Sequence, residues 1–352
     1  MSLTLVFNAG SSSLKYQVFK DEETILRGLI EVGSGNMTFH HEALELAVKE
    51  LEENNIQVSE IEFVGHRVVH GGTKFSDSVV ISFDVFRELH ELSHLAPLHN
   101  PSALDVIKGC FVYFQDIPQI AVFDTAFHQT LDEVRYTYPI QRKVSEEFGI
   151  RKFGFHGTSH KYVAEVAAEE LGIAFDQFNA ITCHLGAGSS ITAIQNGKSV
   201  DTSMGFTPLA GLIMATRSGD IDPGVVLFLL KHGYDKDSIE DLLNFESGLL
   251  GIAGTGDMRE IERNVTSNAH DKLARDMYID RVIHYIGAYL AKVPYINAIV
   301  FTGGIGENDE NLRLQIMKRL QHLGVGTSIP LLVVATNEEL AIARECRKVG
   351  KS

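Results

Sequence analysis

The sequence predicts an α/β protein in two similar halves, each built on a mixed sheet. Apolar strand-like runs alternate with helical stretches along most of the chain. Its 352 residues exceed one typical hydrophobic core. Two segments, residues 3–19 and 180–194, also share one layout, in which a strand, a turn rich in Gly and Ser, and a second strand follow one another. This shared layout predicts an internal duplication.

The first of these hairpins is a candidate anion site. Its turn contains Asn8, Gly10 and three serines, which offer several hydroxyl and N–H donors to one anion. Gly10 allows the backbone to turn tightly and approach a ligand. The GxxxxGK[ST] pattern of a P-loop is absent, and an ordinary Ser-rich hairpin is an equal alternative for this segment alone. The second hairpin favours phosphate binding, with a polyphosphate held between the two halves.

The other elements follow from periodicity and from start and stop signals. Ser82, Ser159, Asn308 and Asn337 are predicted helix N-caps, and Pro223 occupies a favourable early helix position. The predicted strands are residues 22–31, 63–72, 120–123, 296–302 and 331–335, with a turn at residues 33–36. The predicted helices are residues 41–54, 84–94, a helix through 106, 159–171, 223–232, 271–291, 308–323 and a last helix after 337. In the longest helix, the residues spaced for burial are Leu273, Met277, Ile283, Ile286 and Leu290.

Composition restricts the classes of partner and compartment. A formal net charge of −15 argues against nucleic acid as a partner, so a phosphate site must gather positive charge from individual arginines or a metal ion. The three cysteines, Cys110, Cys183 and Cys346, form no CxxC pattern and are predicted to be core thiols in a reducing cytosol. No leader pattern or membrane-length apolar run appears, so we expect a cytoplasmic protein.

Two motifs resemble a known family. Residues 5–18 resemble the first signature of acetate kinases, and residues 154–162, GFHGTSHKY, resemble the second. The resemblance extends from Leu3 to about Arg344. It implies two duplicated domains of the actin, sugar-kinase and heat-shock-protein superfamily, with a nucleotide cleft between them. Because the last helix of that family returns to the first domain, we expect an N-terminal domain of residues 1–127 plus 340–352 and a C-terminal nucleotide-binding domain of residues 128–339.

The same resemblance implies an activity. Acetate kinases reversibly transfer the γ-phosphoryl group of ATP to acetate, giving acetyl phosphate and ADP, with Mg²⁺ (or Mn²⁺ as an alternative) as cofactor. Such transfer depends on positioning and on neutralising charge around the transferred group. The implied partners are these small molecules and a second copy of the chain, since family members form homodimers through the second domain. Neither nucleic acid nor membrane is implied.

The resemblance assigns the catalytic roles to four residues. Arg67 would hold the substrate carboxylate, and Arg217 and His156 would stabilise the transferring phosphoryl group. The planar fork of arginine suits both anions, although a random arginine is more often a surface residue. Asp124, after a buried strand, is expected to orient an arginine or a metal-bound water. A general base is unnecessary because a carboxylate nucleophile is already ionised at neutral pH.

Binding residues are implied in the same way. Asn8 and Glu338 match metal-linked positions, with a first-turn helix acid as the alternative for Glu338. The acyl pocket would consist of Val69, Leu98, Phe155 and Pro208, each of which is singly more often a core residue. A branched Val69 should narrow that pocket and favour acetate. The implied nucleotide-binding residues are Lys15, His184, Gly186, Gly188, Asp257, Met258, Arg259, Gly303, Gly304, Ile305, Gly306 and Asn308.

The chain departs from the family pattern at several places. Ala187 replaces a usual Asn, which removes one donor near the phosphates, and Ala215 replaces a common Gly before Arg217. The region after the first strands is also shorter than usual. Three alternatives stay open at this point: a propionate kinase, a non-catalytic ATP-binding module, and a phosphatase-like member of the superfamily.

Overall fold

Two sheets organise the computed structural model, which describes residues 3–10, 12–33, 38–97 and 99–351. The strands are β1 (Leu3–Ala9), β2 (Ser13–Lys20), β3 (Glu23–Glu31), β4 (Ile61–Val68), β5 (Val79–Val80), β6 (Gln119–Phe123), β7 (Ala180–Leu185), β8 (Ser189–Gln195), β9 (Lys198–Thr202), β10 (Ala298–Thr302) and β11 (Leu331–Val333). The helices are α1 (Thr38–Glu53), α2 (Phe83–Glu91), α3 (Asn100–Tyr113), α4 (Glu133–Tyr136), α5 (Arg142–Phe148), α6 (Gly157–Glu170), α7 (Pro223–Lys231), α8 (Lys236–Phe245), α9 (Gly248–Ala253), α10 (Met258–Asn264), α11 (Ala269–Leu290), α12 (Gly303–Asn308), α13 (Glu310–Leu320) and α14 (Glu338–Val349).

The contacts divide the chain into two units. The first contains residues 1–129, 157–159 and 337–352, and the second contains residues 130–156 and 160–336. The domain boundaries expected from sequence, residues 1–127 plus 340–352 and 128–339, stay a prediction about which segments form functional domains.

The two sheets repeat one topology. In the first unit the strand order is β3-β2-β1-β4-β6-β5, and in the second it is β9-β8-β7-β10-β11. In each, an antiparallel three-strand meander is followed by two strands parallel to its first strand. Apart from the edge strand β5, the second order therefore corresponds to the first. The predicted α/β class with a duplicated unit is confirmed.

Each sheet is covered by helices that bury its apolar residues. In the first unit, Leu5, Phe7 and Tyr16 of the sheet form one core with residues of α1 and α3. In the second, β7, β8 and β10 pack with α11. Burial of such apolar surface, at about 25 cal/mol per Å², is the main favourable term in folding. Cys110, Cys183 and Cys346 are free and buried, as predicted for core thiols.

The buried face of α11 differs from the prediction by one residue. Leu273 and Met277 are 51% and 40% exposed, whereas Ala274, Tyr278, Val282 and Ile286 are buried. The hydroxyl of Tyr278 lies 3.0 Å from Ser189 Oγ, so this tyrosine can be buried with its polar atom satisfied. The predicted stripe is therefore offset by one position at residues 273 and 277, while Ile286 is buried as predicted.

Most predicted helix starts agree with the structure. Ser82 caps α2 and Asn337 caps α14 by accepting backbone N–H groups, and Pro223 opens α7. The prediction for Ser159 was wrong, because α6 begins at Gly157 with His156 at the N-cap. The turn expected at residues 33–36 includes residues 34–36, which lie outside the described ranges.

The segment GGIGEN, which separates the predicted strand 296–302 from the helix predicted from residue 308, is itself helical. Residues 303–308 form the short helix α12, and Asp309, instead of Asn308, caps α13 by accepting from Leu312 N–H. The carboxylate of Glu307 accepts hydrogen bonds from Gly303 N–H at 2.9 Å and from the Thr302 hydroxyl at 3.2 Å. These bonds satisfy donors at the start of α12 and explain why the segment is helical.

Among the helices of the described ranges, none is both long enough and apolar enough to span a membrane.

Candidate active site

The first polar cluster, the Arg67 cluster, consists of Asn8, Arg67, Asp124, Glu338 and Glu339. Arg67 donates from Nε to Asp124 Oδ1 at 3.0 Å and from Nη2 to Asp124 Oδ2 at 2.6 Å. Its Nη1 donates to Asn8 Oδ1 at 3.3 Å, and its Nε lies 3.6 Å from Glu338 Oε2. The Asn8 amide in turn donates to Glu339 at 3.1 Å. All five residues belong to the first unit.

Strand order explains this convergence. The strands β1, β4 and β6 are parallel neighbours, so their carboxyl ends lie at one edge of the sheet. Asn8 is near the end of β1, Arg67 is near the end of β4, and Asp124 directly follows β6. Glu338 reaches them from the first turn of α14. Four residues that were predicted from sequence are thus brought together.

The cluster has more carboxylates than cations. Burial raises the pKa of Glu338, and the charges of Asp124 and Glu339 add to this rise, while Arg67 and Lys15 oppose it. Burial alone would lower the pKa of Arg67, but Asp124 and Glu338 outweigh it and raise that pKa. The arginine therefore stays charged and is held in one orientation by Asp124.

Two further predicted residues of the first unit, Lys15 and Val69, lie near this cluster. Lys15 is exposed on β2, where its Cα pairs with Asn8. It was predicted to bind nucleotide with residues that the structure places in the second unit. Val69 is partly buried two residues beyond Arg67, and Leu98, predicted for the acyl pocket, lies outside the described residues.

The second polar cluster, the Arg217 cluster, consists of His156, His184, Gly188 and Arg217, all in the second unit. A Cβ atom at Gly188 would lie 3.3 Å from His156 Nε2 and 3.4 Å from Arg217 Nη2. The backbone of the second hairpin therefore approaches both groups closely. The rings of His156 and His184 stack with centroids 4.4 Å apart. Arg217 Nη1 donates to the carbonyl of Pro208 at 2.8 Å, while Phe155, next to His156, is buried.

Arg217 differs from Arg67 in its surroundings. Among the residues that the structure describes, no carboxylate oxygen lies within the 4.0 Å limit of an ion pair with its guanidinium. Burial lowers the pKa of Arg217, with no neighbouring charge opposing the shift. A largely desolvated cation with no counter-ion is costly unless an anionic ligand completes its environment. This cluster is therefore a candidate anion site.

The backbone of His156 has an uncommon conformation. Its φ of 56° and ψ of 22° lie in the left-handed region, which costs a non-glycine residue about 1–3 kcal/mol. Gly157 must follow it, because a Cβ there would lie 2.2 Å from the carbonyl oxygen of Asp124. Strained residues of this kind concentrate at functional sites.

A cavity of about 990 Å³ lies in the second unit. Among the predicted nucleotide residues, those lining it are Gly186, Asp257, Met258, Arg259, Gly304, Ile305 and Asn308. Asp257 caps α10, and the Arg259 guanidinium bonds its carboxylate and lowers its pKa to about 2. Gly303 has a conformational role instead. Its φ is 78°, and a Cβ there would lie 2.7 Å from the Leu185 carbonyl oxygen. Gly306 is buried. Gly306, His184 and Gly188 are not among the described residues that line the cavity.

Sequence reasoning missed several members of these sites. Glu339 belongs to the Arg67 cluster, and its position next to Glu338 was an available signal. The residues Gly256, Glu262 and Asp309 line the cavity together with Ala187. Ser190 lies within hydrogen-bond distance of both His156 and His160. The four-residue spacing of the two histidines was visible in the sequence.

The duplicated α/β fold and these two arginine sites define a small-molecule phosphotransferase. A model of the acetokinase family matches residues 33–343. An acetate kinase of Geobacillus kaustophilus is 43% identical over 394 positions, covering 99% of this chain and 100% of that protein. Crystal structures of a Francisella tularensis propionate kinase and of Porphyromonas gingivalis acetate kinase both have a TM-score of 0.92, at 38% and 36% identity, and each comparison covers 99% of this chain and 100% of the other. The chain belongs to the acetokinase family.

Proposed function

We propose that the protein is an acetate kinase, which transfers the γ-phosphoryl group of ATP to acetate and catalyses the reverse reaction. The observation that carries this proposal is Arg217, a partly buried guanidinium with no acidic partner among the described residues. It lies beside His156 and the Gly-rich turn of the second hairpin, where a phosphoryl group would supply the missing negative charge.

In the proposed reaction, an acetate oxygen attacks the γ-phosphorus while the bond from that phosphorus to the bridging oxygen breaks. ADP leaves with the electron pair of that bond. Arg67 would bind the acetate carboxylate, and Asp124 would hold the guanidinium in position through its two hydrogen bonds. Arg217 and His156 would stabilise the negative charge on the transferring oxygens. Acetate is already ionised at neutral pH, so no residue needs to remove a proton.

A magnesium ion fits the Arg67 cluster. The described residues contain no group of three His, Cys, Asp or Glu side chains arranged as a closed metal site. Mg²⁺ commonly binds through one or two carboxylates, waters and substrate phosphates, so such a group is not required. Glu338, with a raised pKa and an Oε2 beyond hydrogen-bond distance of Arg67, would be its carboxylate ligand, and Asn8 a second oxygen donor. When bound, the metal would neutralise charge on the ATP phosphates.

The adenosine part of ATP is proposed to bind in the 990 Å³ cavity. Gly186 and Gly304 line it without side chains, so the backbone can approach the nucleotide. Asp257 and Arg259, which form an ion pair at the N-terminus of α10, would contact the base and ribose. Ala187 also lines the cavity, where the family usually has Asn.

The direct test incubates the protein with Mg-ATP and acetate and traps acetyl phosphate with hydroxylamine. We expect hydroxamate and ADP in equal amounts, with free phosphate well below both. ADP and phosphate without hydroxamate would instead identify a hydrolase. ATP binding without turnover would identify a non-catalytic module.

Propionate is the second candidate substrate, because the Francisella tularensis structure that matches this chain is a propionate kinase. We propose that Val69, which follows β4 beside Arg67, narrows the acyl pocket. The Val69→Ala variant should lower the KM for propionate relative to acetate by several-fold, since a missing methyl group in such a pocket changes discrimination by roughly tenfold. Wild-type preference for propionate, or an unchanged ratio in the variant, would contradict this assignment.

We further propose that the protein is a homodimer that works in the cytoplasm. The helix α7 has the sequence PGVVLFLLK, and none of its nine residues is buried. Its apolar residues Val225, Leu227, Phe228 and Leu230 are all exposed. Contiguous exposed apolar surface of this kind commonly marks a protein–protein interface. The three buried free thiols support a reducing compartment.

The Phe228→Glu variant should therefore convert the dimer to a monomer, because a charge would be buried in the interface. Light scattering after size-exclusion chromatography measures this mass directly. Phe83→Glu is the matched control, since Phe83 is 79% exposed on α2 of the first unit. Monomeric wild-type protein, or a Phe228→Glu variant that stays dimeric, would refute the α7 interface.

A further inference from the structure

We infer that Thr182, His160 and Ser190 form a hydrogen-bonded chain that fixes the tautomer of His156, so that His156 Nε2 carries the proton it donates to a phosphoryl oxygen. The inference deepens the proposed function, because it rests on the role proposed for His156. The three residues act through His156 and are positioning residues.

The chain is continuous in the second unit. His156 Nδ1 lies 2.9 Å from Ser190 Oγ, and His160 Nε2 lies 2.7 Å from the same oxygen. His160 Nδ1 lies 2.7 Å from Thr182 Oγ1. His156 and His160 are one helical turn apart at the start of α6, so both rings reach Ser190 on β8. Thr182, His160 and Ser190 are fully buried.

Proton counting allows two directions for this chain when both histidines are neutral. A serine hydroxyl has one proton and two acceptor lone pairs, so Ser190 donates to at most one histidine and then accepts from the other. If it accepts from both, His156 Nδ1 is protonated and Nε2 is bare, as in the inward direction below. In the outward direction, Thr182 donates to His160 Nδ1, His160 Nε2–H donates to Ser190, and Ser190 donates to His156 Nδ1. The remaining His156 proton is then on Nε2. In the inward direction every bond reverses, and His156 Nε2 has only a lone pair.

The surroundings of His156 Nε2 select the outward direction. A Cβ at Gly188 would lie 3.3 Å from this nitrogen and 3.4 Å from Arg217 Nη2, so the nitrogen faces the same space as that end of the guanidinium. An oxyanion in that space requires a donor and would be repelled by a lone pair. A neutral imidazole with Nε2–H donates without adding a second positive charge beside Arg217. In this direction the buried hydroxyl of Thr182 is the first donor of the chain, and the His156 proton is on Nε2.

Removing the chain should slow turnover more than it weakens binding. We expect Ser190→Ala to lower kcat by about tenfold and Thr182→Val by roughly threefold, the range seen for residues that orient a functional histidine. The KM values for ATP and acetate should change less than about twofold, because no substrate contact is removed. The matched control is Thr192→Val. Thr192 is the cross-strand Cα partner of Thr182, and its buried hydroxyl lies 3.0 Å from Thr202 Oγ1, outside the chain. Its kcat should equal that of wild type.

Two measurements separate this chain from general damage to the fold. The first is ¹⁵N NMR of histidine-labelled full-length protein with Mg²⁺ and β,γ-methylene-ATP, with the His156 signals assigned by their loss in His156→Ala. We expect protonated Nε2 and unprotonated Nδ1 for His156. Protonated Nδ1 with bare Nε2, or two protonated nitrogens, would overturn the inference even if the Ser190 and Thr182 variants failed to fold.

The second measurement is a double-mutant cycle. Ser190→Ala should cause no further loss of kcat in the His156→Ala background, since its effect passes through His156. A further tenfold loss would overturn the inference. Normal turnover of His156→Ala alone would instead refute the proposed role of His156, while the NMR experiment would still decide the direction of the chain.

Discussion

Arg217→Ala is expected to lower kcat by about 10²–10³-fold, the cost of removing one preorganised charge from a developing transition state. The thermal stability of the variant should not fall. A large loss of kcat without a lower melting temperature is the result that distinguishes an unpaired ligand-binding cation from a structural one. Arg217 is largely desolvated and, among the described residues, has no acidic partner. In the protein without ligand its charge therefore costs free energy, and an alanine removes that cost. Steady-state kinetics and the melting temperature test both parts.

Arg151 provides the opposite control. Burial also lowers the pKa of its guanidinium, which stacks 3.8 Å from the ring centroid of Tyr136. Arg151→Ala should lower the melting temperature through lost packing while kcat stays near wild type. Arg217→Lys should recover little activity, because lysine cannot donate from a planar fork. Near-normal turnover of Arg217→Ala would refute the phosphoryl site.

The places of the predicted site residues in the fold were more predictable from sequence than the packing around them. Arg67 and Asp124 were assigned by resemblance to the acetate kinase family, and both lie at the ends of strands. Those strands are parallel neighbours, so the meeting of the two side chains follows from the strand order. The second hairpin was predictable for a similar reason, since a Gly/Ser turn between two strands is a local pattern. These features depend on residues that are close in sequence or on a regular topology.

Features that depend on tertiary contacts were not predictable. The buried stripe of α11 depends on Ser189, which satisfies the hydroxyl of Tyr278 from another element. The start of α6 depends on the close approach of Gly157 to the Asp124 carbonyl, and so Ser159 was the wrong cap. The role of Ser190 between two histidines likewise requires β8 and α6 to be adjacent, which hydrophobic periodicity does not report.

Arg67→Ala is expected to abolish detectable turnover and also to destabilise the first unit by about 3 kcal/mol, because it leaves buried carboxylates without their cation. Arg67 bonds both oxygens of Asp124, which is 1% exposed, and lies near Glu338. Urea unfolding at neutral pH measures the loss. The matched control is Arg344→Ala, which breaks a more exposed pair with Glu22 in the same unit and should cost less than about 1 kcal/mol.

The pH dependence of this loss identifies its cause. The pKa of Glu338 is already raised in the folded protein, so folding favours its protonated form, and this contribution is lost as pH rises through the folded pKa. Without Arg67 the opposing cation is gone, and that pKa should rise further. The deficit of Arg67→Ala should therefore be complete at neutral pH and shrink as pH falls through the pKa of Glu338. Adding Asp124→Asn should recover part of the stability and none of the activity. A deficit that is independent of pH and unaffected by Asp124→Asn would show that Arg67 stabilises the unit by packing instead of by charge.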